Sequence, residues 1–319
     1  MNTIQHDGFI ELIVNFDEFI DFLRPENKNK LHPYIGSKSN CLIYRGQSNS
    51  EHSLIPSLFR DTFEYSSFSK NYTELCFAHS CYLESFIHGC DLNAMSIPND
   101  SYALREAVKV FNDSMVFNTS IWPDKSIYEL LAFAQHYGYR TELLDWSYSP
   151  LVALYFAASG AVRAYKKKED YSQVQKNALS IWVFDTDKKY QLNQKSPNNF
   201  EIIDVPKAAN INISSQQGCF TLIRQQFQRD EKLEYQDGVI QNIRLLDNLM
   251  SDNQQKGLLK ITLSHQDALK VLKFCYDYSI NAATLFRGAD GAARYANECI
   301  EISRFAIGTG QKFNDGMSI

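Results

Sequence analysis

Apolar residues recur at helical spacing in Phe16–Leu23, across 70–90 and across 101–112, which predicts three amphipathic helices in the first third of the chain. A polar break, Pro25-Glu26-Asn27-Lys28-Asn29-Lys30, follows the first of them, and a short apolar strand is expected at 41–44, Cys41-Leu42-Ile43-Tyr44. Ser126-Ile127-Tyr128-Glu129 has the form of a capping box, with the Ser126 hydroxyl accepting from the backbone at Glu129 and Glu129 reaching back. It predicts a helix that runs to about His136 and stops near Gly138. Ser149-Pro150 is a second start signal, a capping hydroxyl before a proline at the first helical position. The run it opens, Leu151-Val152-Ala153-Leu154-Tyr155-Phe156-Ala157-Ala158, is apolar almost all round and should be a central buried helix.

After residue 163 the texture changes. Lys166 to Asp170 reads as a solvated loop or helix end. Short β-branched and aromatic runs broken by Asn, Pro and Gly predict strands at 178–184, 201–205, 210–213, 218–223 and 257–263. The Gln- and Asn-rich stretch 225–256 reads as an insertion or a surface helix outside the core. Ser264-His265-Gln266-Asp267 opens another helix, to about Tyr278. The fold class is α+β, a helical first half packed on a mostly antiparallel sheet that takes in the strand at 41–44. The chain divides into an N-terminal helical extension at 1–39, a main domain at 40–300 and a C-terminal tail at 301–319.

Composition narrows the class. With 44 % hydrophobic and 22 % charged residues the chain is that of a soluble globular protein, and its 319 residues can bury a sizeable core. The net charge of −5 supplies no global field for nucleic acid or an anionic membrane. Seven irregularly spaced cysteines fit a reduced, cytoplasmic protein better than a disulfide scaffold. No basic region followed by an apolar run opens the sequence, so no signal peptide is expected, and no apolar stretch is long enough to span a bilayer. Cys76, His79, Cys81, His88 and Cys90 match no closed zinc pattern, and no metal site is assigned. No P-loop or GxGxxG occurs in the right context.

Candidate chemistry lies where polar residues interrupt apolar elements. Arg45 ends a buried strand and is followed by Gly46; it can offer a planar fork to a phosphate or carboxylate, or tie strand to helix by a salt bridge. Gly46 would let a ligand approach the backbone. His136, near a helix end, is a general base, a hydrogen-bond anchor or a structural histidine. Asp145 would pair with Arg45 or Arg140, Trp146 would offer a stacking face and Ser147 would orient a substrate. The plainer reading makes Asp145 a turn residue, Trp146 core and Ser149 a cap. Gln216-Gln217-Gly218-Cys219-Phe220 begins a strand and places an amide that can read an amide or a ribose hydroxyl.

These segments together resemble the FRG-domain family. The likeness rests on Tyr44-Arg45-Gly46-Gln47, Leu54-Ile55-Pro56-Ser57-Leu58-Phe59-Arg60, and Gln135-His136-Tyr137-Gly138 running through Leu144-Asp145-Trp146-Ser147. It continues in Pro150 to Ala157, in Gln217-Gly218-Cys219-Phe220, and in Ala283-Thr284-Leu285-Phe286 up to Asp290-Gly291, spanning about 40–295. Glu142 departs from the arginine usual in the family, and Ser147 from its threonine. The family's pattern is in turn similar to that of arginine-type ADP-ribosyltransferases, which implies an ADP-ribosyltransferase-like core and NAD as substrate. On that resemblance Arg45 neutralises the NAD diphosphate, Trp146 or an aromatic near it packs the nicotinamide, and Ser147 and Gln217 orient the ribose. Asp145 stabilises the transition state, and His136 deprotonates the acceptor. Tyr44, Gly46, Gln47, Gln135 and Phe220 complete the expected cofactor-binding set. The catalytic Glu-x-Glu of those enzymes is missing; Gln217 stands nearest to its place, and Glu231, Glu234 and Glu298 are unranked substitutes. The resemblance implies a toxin or anti-phage effector that modifies a macromolecule, RNA or another nucleic acid ahead of protein, with an antitoxin as a further partner and no membrane. A nucleotide- or partner-binding module on a degenerate transferase fold is the alternative.

Overall fold

The computed structural model describes residues 1–38, 41–60, 66–67, 69–109, 119–166, 168–194, 199–207, 211–228 and 231–312. Its centre is an eight-stranded sheet of β1 (Asn2–Gln5), β2 (Ile10–Ile13), β3 (Leu42–Gln47), β4 (Leu144–Ser147), β5 (Ala178–Asp185), β6 (Phe200–Ile203), β7 (Gly218–Ile223) and β10 (Leu258–Ser264). The spatial order is β1-β2-β10-β5-β3-β4-β7-β6. Every pairing is antiparallel except that of β10 with β2. A separate hairpin pairs β8 (Tyr235–Gln236) with β9 (Val239–Ile240). The main helices are α1 (Phe16–Leu23), α2 (Tyr72–Leu92), α3 (Tyr102–Lys109), α4 (Tyr128–His136), α5 (Pro150–Ala164), α6 (Ile211–Ser215), α7 (Leu246–Asp252), α8 (Ala268–Asp277), α9 (Ala282–Leu285) and α10 (Gly288–Thr309).

Side-chain alternation divides the core. On one face Leu42, Tyr44, Ile181, Val183 and Ile261 pack under α1, α5, α8 and α10. Farther along that face Phe220 and Leu222 pack under α2, α3 and α4. The other face carries Ile43, Trp146, Trp182, Phe184 and Cys219, covered by Leu246, Leu249 and Met250 of α7. The two helical groups part over β3, β4 and β7, and the only register pair between β3 and β4 is Tyr44 with Ser147.

The α+β class and the mostly antiparallel sheet are those the sequence implies, and α1 has the expected bounds. Several elements differ. Leu144–Ser147, between α4 and α5 in the chain, is a strand inside the sheet that the sequence reading did not assign; Leu144 and Trp146 alternate there with Asp145 and Ser147. The strand expected at 210–213 is the helix α6 over its described part; residue 210 lies outside the described residues, as do 110–112 of the second predicted helix and Lys167 of the basic loop. Asp124, not Ser126, caps the turn before α4: its carboxylate accepts from the Ser126 N–H at 2.8 Å. Ser149 precedes α5 without a side-chain cap bond. The 225–256 stretch enters the core through Leu233, Ile240, Leu246, Leu249 and Met250. The 1–39 extension contributes two strands beside its helix, and α10 runs past the boundary drawn at 300, with Ile302, Phe305 and Ala306 buried.

Candidate active site

Where the helical groups part lies a cavity of about 280 Å3. Its wall takes Tyr44, Arg45 and Gly46 from β3, Asp145 to Ser147 from β4, and Gly218 to Phe220 from β7. Helix α4 adds Gln135 and His136, and one face of α5 adds Val152, Ala153 and Phe156 at helical spacing.

The charged centre is an ion pair. Arg45 Nη1 lies 2.7 Å from Asp145 Oδ2 and donates to the Asp145 carbonyl at 2.8 Å. The guanidinium thus bridges β3 and β4 just beyond their single pair. Its side chain is 8 % exposed whereas that of Asp145 is 60 % exposed, so the carboxylate is open to the cavity and the arginine is fixed beneath it. Desolvation works to raise the Asp145 carboxyl, but the Arg45 charge and hydrogen bond prevail and hold it below the usual carboxylate range. Arg45 Nε is buried and has no acceptor among the described residues. Among the described residues that line the cavity Asp145 is the only acid.

Gln135 sits beside this pair. Its Oε1 accepts from the Thr141 hydroxyl, which turns the amide nitrogen toward Asp145 Oδ1, 3.5 Å away. It orients the carboxylate instead of offering a free amide to a ligand.

Three assigned roles are altered by the geometry. The Trp146 indole lies on the opposite face of the sheet from Asp145, 3 % exposed, packed near Phe184 and donating to Thr221 Oγ1 at 2.9 Å. It borders the cavity along its strand and has no ring face to offer. The Ser147 hydroxyl donates to the Gln216 carbonyl at 2.7 Å and accepts from the Ser149 N–H at 3.0 Å; it braces β4 to the turn before β7. Gln217 is exposed, with φ of 48°, and does not line the cavity; Gln216 takes that place.

His136 lines the cavity but its reactive nitrogen is committed. The Asn212 Oδ1 accepts from the Arg287 N–H at 3.0 Å, so the Asn212 amide nitrogen is the atom that meets His136 Nε2. Nε2 therefore accepts and carries no proton. Burial, with Arg294 nearby, lowers the His136 imidazole below its ordinary value, consistent with a neutral ring. Gln47 also leaves the expected set: it donates to the Ser53 carbonyl and accepts from the Trp182 indole N–H at 2.8 Å. Gly46 is required for packing. A Cβ there would stand 1.9 Å from the Ala153 carbonyl oxygen, so the glycine admits α5 against β3.

Of the substitute acids, none lines the cavity. Glu298 is buried between the Tyr155 and Tyr276 hydroxyls, which both donate to it, and Glu231 and Glu234 are exposed. Glu142, which replaces the expected arginine, is buried and accepts from the Trp122 indole at 2.9 Å with His79 Nδ1 3.2 Å away. Beyond the segments assigned to the site, Phe156, Ile213 and Phe286 also line the cavity, and of the Gln216-Gln217 pair it is Gln216 that does so. The spacing of Val152, Ala153 and Phe156 on one helix face was the available signal for the first; the others come from distant segments.

All seven cysteines are free, and among the described residues no helix is long and apolar enough to cross a membrane. Cys76, His79, Cys81, His88 and Cys90 all lie on α2. Residues 40–168 match the model of the FRG domain. That span holds Arg45, Gln135, His136, Asp145 and Phe156, while Gln216, Phe220 and Phe286 lie beyond it. No curated protein and no solved structure matches the chain.

Proposed function

The chain carries an FRG domain at residues 40–168, and from that premise we propose that the cavity binds NAD and that the protein is a mono-ADP-ribosyltransferase acting on a macromolecule. The observation that carries this reading is the Arg45–Asp145 pair, an anchored guanidinium beneath an open carboxylate in one aromatic-walled cavity. Arg45 has donors to spare for a diphosphate. The first turn of α5 adds to this: Val152 and Ala153 line the cavity, and helix geometry leaves the Leu151 and Val152 N–H groups without intrahelical acceptors at the positive end of the dipole.

In the proposed reaction the bond between the ribose C1′ and the nicotinamide nitrogen breaks. The electron pair leaves with nicotinamide, whose ring becomes neutral, and an oxocarbenium-like centre develops at C1′. Asp145 stays ionised beside it and stabilises the charge electrostatically. It does not serve as a proton donor, because its carboxyl is held in the ionised form. An anion that takes up Arg45 competes with Asp145 for the guanidinium, so substrate binding loosens the pair and exposes the negative charge where it is needed. The acceptor nucleophile then attacks C1′ and gives up its proton to water, since His136 Nε2 is occupied by Asn212. RNA or another nucleic acid is proposed ahead of protein as acceptor. The setting proposed is a cytoplasmic toxin or anti-phage effector with an antitoxin partner; seven free cysteines fit a reducing compartment.

The second reading is a nucleotide- or partner-binding module without turnover. The absence of a Glu-x-Glu and the neutralisation of Asp145 by Arg45 favour it. Incubation with NAD and total RNA or lysate, following free nicotinamide, separates the two. Release that is lost in Arg45→Ala supports the transferase; tight NAD binding without release supports the module.

A further inference from the structure

We propose that the rim of the cavity at Tyr137 and Arg287 receives the acceptor, and that the acceptor is a single-stranded nucleic acid. One unstacked base lies on the Tyr137 ring and a backbone phosphate meets the Arg287 guanidinium. This rests on the reading of the cavity as the place of transfer from NAD.

Three residues of the Gln135-His136-Tyr137-Gly138 run have work inside the molecule. Gln135 turns its amide nitrogen toward Asp145, His136 is held by Asn212, and Gly138 follows α4 with φ of 91°. Tyr137 has no such task. Its ring touches only its near neighbours in the chain, with centroids 5.0 Å from Phe133 and 5.1 Å from His136, and it stays 56 % exposed. From His136 the rim continues through Asn212, whose Oδ1 accepts from the Arg287 N–H at 3.0 Å. Arg287 is exposed, and its guanidinium makes no ion pair among the described residues. Arg294 differs: it is committed to Asp290 at 2.7 Å and lies 4.4 Å from the Phe286 ring centroid. Gly138 and Gly288 follow Tyr137 and Arg287 in the chain. Among the described residues a Cβ added at either would meet nothing within 4 Å, so the strip opens outward at both ends.

An exposed aromatic ring beside an uncommitted guanidinium matches a single strand, whose bases stack on any aromatic face and whose backbone carries a negative charge at every step. A duplex keeps its bases stacked on one another and must flip one out before Tyr137 can take it. The net charge of −5 supplies no long-range attraction, so recognition has to come from these local groups, with a shallow dependence on salt. The position fits an acceptor. Tyr137 and Arg287 are the chain neighbours of His136 and Phe286, which line the cavity, while neither lines it itself. A strand seated on the rim therefore faces the cavity without displacing what the cavity holds.

The test uses the full chain with labelled RNA and DNA single strands of about 10 nucleotides and the matching duplexes, read by fluorescence anisotropy, with NAD affinity measured calorimetrically alongside. Wild type is expected to bind at least one single strand about 10-fold or more tighter than its duplex. Tyr137→Ala should weaken that strand about 10-fold, whereas Tyr137→Phe keeps the ring and should stay within about 2-fold. Arg287→Gln should flatten the slope of log affinity against log salt by about 0.7, the share of one phosphate contact. NAD affinity should stay within about 2-fold in all three, because neither side chain lines the cavity. Thermal unfolding checks that each variant is folded; should Tyr137→Ala fail, Tyr137→Leu is measured with the same expected loss. A duplex bound as tightly as the single strands, an unchanged affinity in Tyr137→Ala, an unchanged salt slope in Arg287→Gln, or an equal loss of NAD affinity overturns the proposal. Wild type that binds NAD but no single strand also overturns it, leaving the NAD reading in place with a protein as acceptor. Single strands bound through Tyr137 by a chain that neither binds NAD nor releases nicotinamide overturn the NAD reading and the acceptor role that rests on it.

Discussion

Replacing Glu142 should be among the most damaging single changes in this protein. Its side chain is 1 % exposed, and that of His79 beside it is fully buried. His79 Nε2 donates to the Arg140 carbonyl at 2.9 Å, so its Nδ1 faces the carboxylate at 3.2 Å and one proton must lie between them. Glu142→Ala leaves His79 and the Trp122 N–H without their partner. Breaking a buried pair from one side costs about 3–5 kcal/mol. At roughly 2 °C per kcal/mol for a chain of this size, that lowers the melting temperature by about 6 °C or more. Glu142→Gln behaves differently: its oxygen accepts from Trp122 while its amide nitrogen donates to Nδ1 of a neutral His79, so the loss should be about 1–2 kcal/mol. The pH dependence has a defined sign. Desolvation tends to raise the Glu142 carboxyl, but His79 and the hydrogen bonds hold it below its ordinary value. A depressed acid stabilises the fold fully above its unfolded value of about 4.3 and loses that contribution as pH falls through the folded one. Urea unfolding of wild type, Glu142→Ala and Glu142→Gln at neutral pH and near pH 4 measures both effects. An alanine variant within about 1 kcal/mol of wild type, or a glutamine variant as damaged as alanine, refutes the reasoning.

Three further outcomes are expected. Gly46→Ala drives a methyl group into the Ala153 carbonyl and should cost about 3 kcal/mol or more, read as a lowered urea midpoint; an unchanged midpoint contradicts the packing role. His136→Gln should keep nicotinamide release within about 3-fold, because Nε2 is already taken up by Asn212, whereas a loss of about 100-fold or more would reinstate a general base. Burial raises the Glu298 carboxyl despite its two tyrosine donors, so wild type should lose stability as pH rises from about 4.3 through the raised folded value. Glu298→Gln should flatten that part of the pH profile of unfolding, and an unaltered slope would speak against it.

Local signals carried the sequence reading far. The period of Phe16–Leu23, the proline after Ser149 and the β-branched and aromatic runs in 178–184 and 257–263 describe elements whose own residues decide them. The pairing of Arg45 with Asp145 was legible too, as one of two candidate partners, because a buried strand end needs a counter-charge. What failed depends on contacts outside the segment. Four residues of β4 are too few to show their period against flanking turn residues, so the strand was missed, and with it the fact that Trp146 faces away from Asp145. Asn-Ile-Asn-Ile alternates like a strand, yet Asn212 is held in a helix by bonds to His136 and Arg287, which no local window contains. Phe286 enters the site from well over a hundred residues beyond Asp145, and only the tertiary fold brings them to one wall.

The central claim is that the guanidinium of Arg45 and the carboxylate of Asp145 serve one dinucleotide. A crystal structure with a non-cleavable NAD analogue tests it most directly. The account predicts the diphosphate hydrogen-bonded to Arg45, C1′ of the nicotinamide ribose facing Asp145, and the pair of 2.7 Å lengthened. An analogue bound elsewhere, or seated in the cavity with its diphosphate turned away from Arg45, would contradict it.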